Sequence, residues 1–215
     1  MEANPKSKLV PNITGLLLCA GLSGRMGTSK ALMIYEGLPF AVQIIKNLLL
    51  VCWEVVVVVG HESEKVKSEI LKCLAPDEAI KLKFVFNDNY KSGMFSSLQC
   101  GLRKITQTDW TLYHFVDQPS LPVKFYGQFV KQLSAESNWV QPSYKNKLGH
   151  PILFNNNVTE MILKLSENNS LRDLSNDQRI KKQIWDCNYP EVLQDIDTIE
   201  QYNNLTIKPF DNLNT

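Results

Sequence analysis

Leu18-Cys19-Ala20-Gly21-Leu22-Ser23-Gly24-Arg25-Met26-Gly27-Thr28-Ser29-Lys30 closes a short apolar run, Ile13 to Cys19, and then supplies glycines, a guanidinium and an ammonium in quick succession. Glycines let backbone N–H groups turn inward and approach phosphate oxygens without a Cβ in the way. Arg25 and Lys30 offset charge that backbone dipoles alone cannot. The register excludes two familiar phosphate motifs, because neither the Walker A spacing nor the Gly pattern of the dinucleotide fingerprint occurs. Two readings of the loop itself stay open: a phosphate cradle, or a plain Gly-rich turn with solvated cations.

Outward from this loop, strand and helix signals alternate. Ile13 to Cys19 and Val55 to Val59 are short apolar runs that end at loops, as in parallel strands covered on both faces. Leu82 to Phe86 and Leu112 to Val116 are further strand candidates. Helical spacing runs through Phe40 to Leu50, Glu62 to Leu74, Met94 to Lys104 and Val123 to Leu133, and a further helix falls near Val158 to Leu165. The rhythm predicts an α/β fold with a mostly parallel sheet and helices on both faces. Ligands in such sheets sit beyond the carboxyl ends of the strands. Gly21, Gly60, Asn87 and Asp117 each follow a predicted strand, so four segments converge on one edge. The stretch after Leu133 carries weaker signals, with Asn runs as turn punctuation.

Composition bounds the rest. At 215 residues the chain fits one domain, 1–215, with loosely ordered ends at 1–12 and 206–215. Lys and Arg number 23 against 22 for Asp and Glu, so no overall field favours nucleic acid or an anionic membrane, and a polyanion must be met locally. Five scattered cysteines form no CxxC pair and read as reduced thiols of a cytoplasmic protein. The N-terminus lacks a signal-type apolar core, and Ile44 to Gly60 is broken by Lys46, Asn47 and Glu54, short of a membrane span.

Several residues bear on chemistry. Asp117, followed by Gln118-Pro119, is either a carboxylate projecting from the sheet edge or an ordinary Asp-initiated turn. Asp195 and Asp197 point the same way along an extended segment. Gly93-Met94-Phe95-Ser96-Ser97-Leu98 opens a helix after the Asn87 turn, so its amides and hydroxyls either contact a base or ribose or leave Ser96 as a plain N-cap. No GxSxG, HExxH or paired-carboxylate cluster is present.

LCAGLSGRMGTSK resembles the LxAGxSxRMGxxK signature of nucleotidyltransferases of the molybdenum cofactor cytidylyltransferase type. Later segments follow in that family's order: Asn87 to Leu98, Asp117-Gln118-Pro119, Gly149-His150-Pro151 and Asp195-Ile196-Asp197-Thr198. The resemblance implies a three-layer α/β/α Rossmann-like domain that moves CMP from CTP to a phosphate-bearing acceptor, the molybdenum-bearing pterin phosphate, with Mg2+ and release of pyrophosphate. It implies nucleotide contacts at Ala20, Gly21, Ser23, Gly24, Arg25, Met26, Gly27, Lys30, Asn87, Gly93, Ser96 and Ser97. Catalytic parts fall to Arg25, Lys30 and Asp117, metal ligation to Asp117 and Asp197, and acceptor binding to His150. A transient contact with a molybdoenzyme or its chaperone follows from such an acceptor. Arg25 and Lys30 would stabilise charge gathering on the leaving pyrophosphate.

The chain departs from the family pattern at Leu148, where the family has Arg, at Ser170, where it has Gly, and at Ile199 and Gln201 in place of Pro and Asp. These changes keep a sugar or polyol phosphate acceptor as an alternative, and a non-catalytic nucleotide-binding protein in cofactor delivery as another class. Ala20 and the serines at 96 and 97 are expected to favour CTP over GTP, since guanylyl members resemble LxGG at the loop.

Overall fold

A computed structural model describes residues 11–22, 27–167 and 169–206. The chain begins with β1 (Ile13–Cys19), a short hairpin β2 (Ile34–Tyr35) and β3 (Leu38–Pro39), and helix α1 (Phe40–Leu49). β4 (Glu54–Val59), α2 (Ser63–Lys72), the single turn α3 (Pro76–Ala79) and β5 (Leu82–Phe86) follow. Next come α4 (Met94–Leu102), β6 (Trp110–Phe115) and α5 (Val123–Phe129), which ends in a 3-10 turn over Val130–Gln132. The last part holds β7 (Trp139–Tyr144), β8 (Lys147–Leu148), β9 (Ile152–Asn155), α6 (Asn156–Lys164), α7 (Leu171–Ser175), β10 (Lys182–Asp186) and α8 (Ile199–Thr206).

The main sheet has the order β10-β7-β9-β6-β1-β4-β5, with β8 paired to β7. β6, β1, β4 and β5 are parallel neighbours, as are β7 and β10, while β9 runs against both β6 and β7. The mostly parallel α/β sheet expected from the sequence is the one formed. Alternation along the strands divides the core. Leu17, Val55, Val57 and Val59 pack with α1, α2 and α5 on one face, whereas Leu16, Leu18, Val56 and Val58 pack with α4, α6 and α7 on the other. Strands covered on both sides need apolar residues at every position, which is why Val55–Val59 is continuous rather than alternating.

The weak-signal stretch holds more sheet than its sequence suggests. β7 reads Trp-Val-Gln-Pro-Ser-Tyr, and Pro142 falls where pairing to β9 through Trp139 and Val140 gives way to pairing to β8 through Ser143 and Tyr144. A proline is tolerated at such a break because no ladder N–H is lost. A third, small cluster of Met33, Tyr35, Phe40, Ile196 and Leu205 ties α8 to the β2–β3 hairpin, and the Tyr202 hydroxyl donates to the Ile34 carbonyl at 2.9 Å. Among the described residues no helix is long and apolar enough to cross a membrane.

Candidate active site

The carboxyl ends of β1, β4, β5 and β6 form one rim. Asn87 N–H donates to the Val59 carbonyl at 2.9 Å and His61 N–H to the Ala20 carbonyl at 3.4 Å, so the loops after three parallel strands are held together. Gly60 sits where a Cβ would come within 2.9 Å of the Ala20 carbonyl oxygen, which explains a glycine at that close approach. The late segment reaches the same rim through a bond from Ile196 N–H to the Asp117 carbonyl at 2.9 Å. Together these loops enclose a cavity of about 400 Å3.

Lys30 lies in this cavity on a 3-10 turn, Lys30–Leu32, anchored by the buried Ala31. Its ammonium donates to Asp197 Oδ1 at 2.5 Å and stands 3.5 Å from Asp117 Oδ2. Two carboxylates from distant parts of the chain therefore face one cation. Burial pushes the Asp117 carboxyl up to about 6, Lys30 opposes the rise, and Asp195 and Asp197 add to it. Asp117 Oδ1 is buried without a hydrogen-bond partner, an acceptor left open for a ligand.

Asp197 is oriented by a device the sequence reading passed over. Thr198 and Gln201 form a capping box at the start of α8: Gln201 N–H donates to Thr198 Oγ1 at 3.2 Å, and Gln201 Oε1 accepts from the N–H groups of Asp197 and Thr198 at 2.7 and 2.9 Å. Gln201, a departure from the family pattern, thus fixes the turn that carries the carboxylate. The signal was the Thr-x-x-Gln spacing. Asp195 takes a different course: its Oδ1 accepts from Gln118 Nε2 at 2.7 Å, burial raises its carboxyl, and it is absent from the cavity wall.

Of the other expected nucleotide contacts, Ala20, Gly21, Gly93 and Ser97 line the cavity with Lys30, Asp117 and Asp197. Gly27 adopts φ +66° beyond the wall. Ser23, Gly24, Arg25 and Met26 lie outside the described residues.

Asn87 and Ser96 stand behind the residues of the wall. Both are buried and off the wall: Asn87 Nδ2 donates to Ser96 Oγ at 3.1 Å and Ser97 Oγ at 3.0 Å, while Ser96 Oγ reaches the carbonyls of Asn89 and Gly93 at 2.9 and 2.8 Å. Their polar groups are spent on shaping the turn into α4. Nor is Ser96 an N-cap, a position held by Gly93 at φ +106°.

A second chamber, about 1070 Å3, adjoins the first, with Met94 and Phe115 in both walls. His150 lines it against the Phe115 ring, 4.3 Å between centroids, with Nδ1 buried and unpartnered; burial lowers the imidazole to about 4 and keeps it neutral near pH 7. Leu148, 52 % exposed, lies at this chamber where the family pattern has Arg. Arg172 and Lys182 also line it, two cations the sequence reading did not single out. Ser170, in place of Gly, caps α7 in a capping box with Asp173.

The model of the MobA-like NTP transferase domain matches residues 15–183. The chain belongs to the MobA-like NTP transferase family. Membership makes it a nucleotidyltransferase. Within the family's reach, the chain is 26 % identical over 205 residues to a nicotine blue oxidoreductase of Paenarthrobacter nicotinovorans, covering 91 % of this chain and 97 % of that one. It is 24 % identical over 193 residues to a probable molybdenum cofactor guanylyltransferase of Bacillus cytotoxicus, covering 88 % of each. Its fold matches a Mycobacterium tuberculosis H37Rv protein crystallised with manganese at a TM-score of 0.70 and 18 % identity, over 92 % of this chain and 100 % of the other. MobA-like relatives thus carry different names at similar distance, so the choice of nucleotide and acceptor rests on this chain's own residues.

Proposed function

We propose that this nucleotidyltransferase moves CMP from CTP onto a phosphate-bearing acceptor. An acceptor phosphate oxygen bonds to the α-phosphorus, the bond to the bridging oxygen breaks, and pyrophosphate leaves. The observation that carries the reading is the convergence of Asp117 and Asp197 on one cation, the Lys30 ammonium, in a cavity at the carboxyl ends of β1 and β6.

The same residues suit a divalent ion. The ammonium stands in for a cation between two carboxylates, and the orphaned Asp117 Oδ1 offers a further hard oxygen. Asp117 and Asp197 would hold Mg2+ there, and the ion would supply charge stabilisation to the phosphates. Lys30 neutralises charge on the departing pyrophosphate from a partly dry position, its side chain 15 % exposed. Arg25 is proposed to act beside it, with the amides of Gly21 to Gly27 around the β- and γ-phosphates.

No general base is needed, because an acceptor phosphate arrives ionised. His150, neutral near pH 7, offers hydrogen bonding to the acceptor in the second chamber without adding charge. The favoured acceptor is the molybdenum-bearing pterin phosphate, delivered to or from a molybdoenzyme or its chaperone in the cytoplasm, a setting consistent with five free cysteines. Preference for CTP over GTP rests on the Ala20 methyl and the Ser97 hydroxyl in the wall, the first crowding a purine, the second available to a pyrimidine edge.

A thermal-shift panel of CTP, GTP, ATP and UTP, with and without Mg2+, tests this. At about a hundred times its dissociation constant a ligand adds roughly 2.7 kcal/mol of stability. CTP with Mg2+ is expected to give the largest shift. Absence of any nucleotide shift overturns the transfer reading, and a GTP shift equal to or above that of CTP overturns the cytidylyl assignment alone.

A further inference from the structure

We propose that the Lys30 ammonium is the resident counterion of the Asp117–Asp197 pair and competes with a divalent cation for it, so that metal enters fully only when a triphosphate draws the ammonium away. The triphosphate in this statement rests on the transfer reading above; the competition itself does not.

The geometry requires a positive charge between these carboxylates. Asp117 follows β6 and Asp197 precedes α8, and each is fixed by backbone bonds independent of Lys30: Ile196 N–H to the Asp117 carbonyl, and the Thr198–Gln201 box that also binds Asp197 N–H. The backbone that carries each acid is thereby held in place on the rim. The ammonium lies 2.5 Å from Asp197 Oδ1 and 3.5 Å from Asp117 Oδ2, within direct contact of the first and ion-pair range of the second. A Mg2+ ion takes oxygen ligands at roughly 2.0–2.1 Å. An ion bridging the same two acids would occupy the space of the ammonium, and two cations sharing those oxygens repel.

Lysine is suited to exchange. Its ammonium is a compact point charge with rotatable donors on an unbranched stem, unlike the fixed planar fork of arginine. Lys30 lines the same cavity as Ala20 and Gly21, the start of the loop that the transfer reading gives to the phosphates, so on that reading its charge moves from the acids to phosphates bound in the same cavity. Metal and nucleotide then bind as a unit. In the absence of nucleotide, the lysine satisfies the acids and keeps stray divalent ions weakly held.

The sign of one substitution decides the matter. Manganese ion alone is titrated into parent, Lys30→Met and Lys30→Arg proteins, free ion being read by electron paramagnetic resonance. Lys30→Met is expected to bind Mn2+ at least tenfold more tightly than the parent, although a phosphate-binding lysine has been lost, and Asp197→Asn placed in the same background should remove the gain. Lys30→Arg, which keeps the positive charge, is expected to stay as weak as the parent. Equal or weaker Mn2+ binding by Lys30→Met overturns the proposal. Should Lys30→Met prove poorly folded, the rise of its melting temperature with Mn2+ replaces the titration: a larger rise than the parent's supports the exchange, an equal or smaller one refutes it. If no nucleotide binds the parent, the transfer reading falls while the manganese titration still decides the counterion.

Discussion

Asp117 pays for its position. Its carboxyl takes up a proton near pH 6 in the fold and near 3.8 in the unfolded chain, so the folded state binds more protons in between and stability falls as pH rises from about 4 to about 6. At neutral pH the ionised group costs roughly 3 kcal/mol on this scale. Asp117→Asn removes the charge at nearly constant shape. We expect pyrophosphate release to drop at least a hundredfold while the thermal midpoint at pH 7.5 rises above the parent's; a midpoint that falls would show the charge to be stabilising. Loop glycines mark Lys30 and a strand end marks Asp117 in the sequence, while Asp197 was singled out by the family resemblance; the structure brings all three to one cavity. A helix start says nothing about which way a hydroxyl donates, and at this turn the backbone carbonyls of Asn89 and Gly93 claim that of Ser96.

The turn into α4 makes the two serines separable. Ser96→Ala removes one of the two hydroxyl partners of the buried Asn87 amide, which keeps Ser97, and the hydroxyl that reaches the Asn89 and Gly93 carbonyls, and should cost about 1 kcal/mol in urea unfolding. Ser97→Ala, whose hydroxyl accepts from Asn87 at the cavity wall, should weaken CTP binding by calorimetry more than it lowers stability. Equal stability losses in the two variants would refute this division.

A second expectation concerns β6 and α5. His114 Nδ1 lies 2.7 Å from the Phe115 carbonyl and must donate to it, so Nε2 accepts from the Tyr126 hydroxyl at 2.8 Å and the ring is neutral. Burial lowers it to about 4 against 6.5 in the unfolded chain, so stability is present above pH 6.5 and lost as pH falls toward 4. His150 adds in the same direction. Melting temperatures between pH 4.5 and 7 should therefore fall less steeply in His114→Gln than in the parent; an unchanged slope would mean that the pair carries no acid sensitivity. Elements with pure signals, β1, β4, α1 and α2, were readable within a residue or two at most ends. β7 and β10 were not, since Gln141, Pro142 and Ser143 in one and alternating exposure in the other leave no apolar run to find.

Across the whole molecule, the α/β class followed from local rhythm, but the reversed direction of β9 did not, because strand polarity in the middle of a sheet is decided by which neighbours have open edges. Nor could the sequence reveal how closely α4 beds onto the sheet. A Cβ at Gly101 would stand 2.5 Å from Leu16 Cδ1 and 2.7 Å from Val58 Cγ2, both in a fully buried layer. Gly101→Ala gains helix propensity yet overpacks this layer, and we expect a net loss of about 1–3 kcal/mol by chemical unfolding. No loss would mean that the layer yields at that point. The bond between Ile196 and Asp117 carries a consequence for assembly. Between those residues the chain lays down β7 to β10 and three helices, so the two carboxylates that face Lys30 meet only once that whole stretch has joined the sheet.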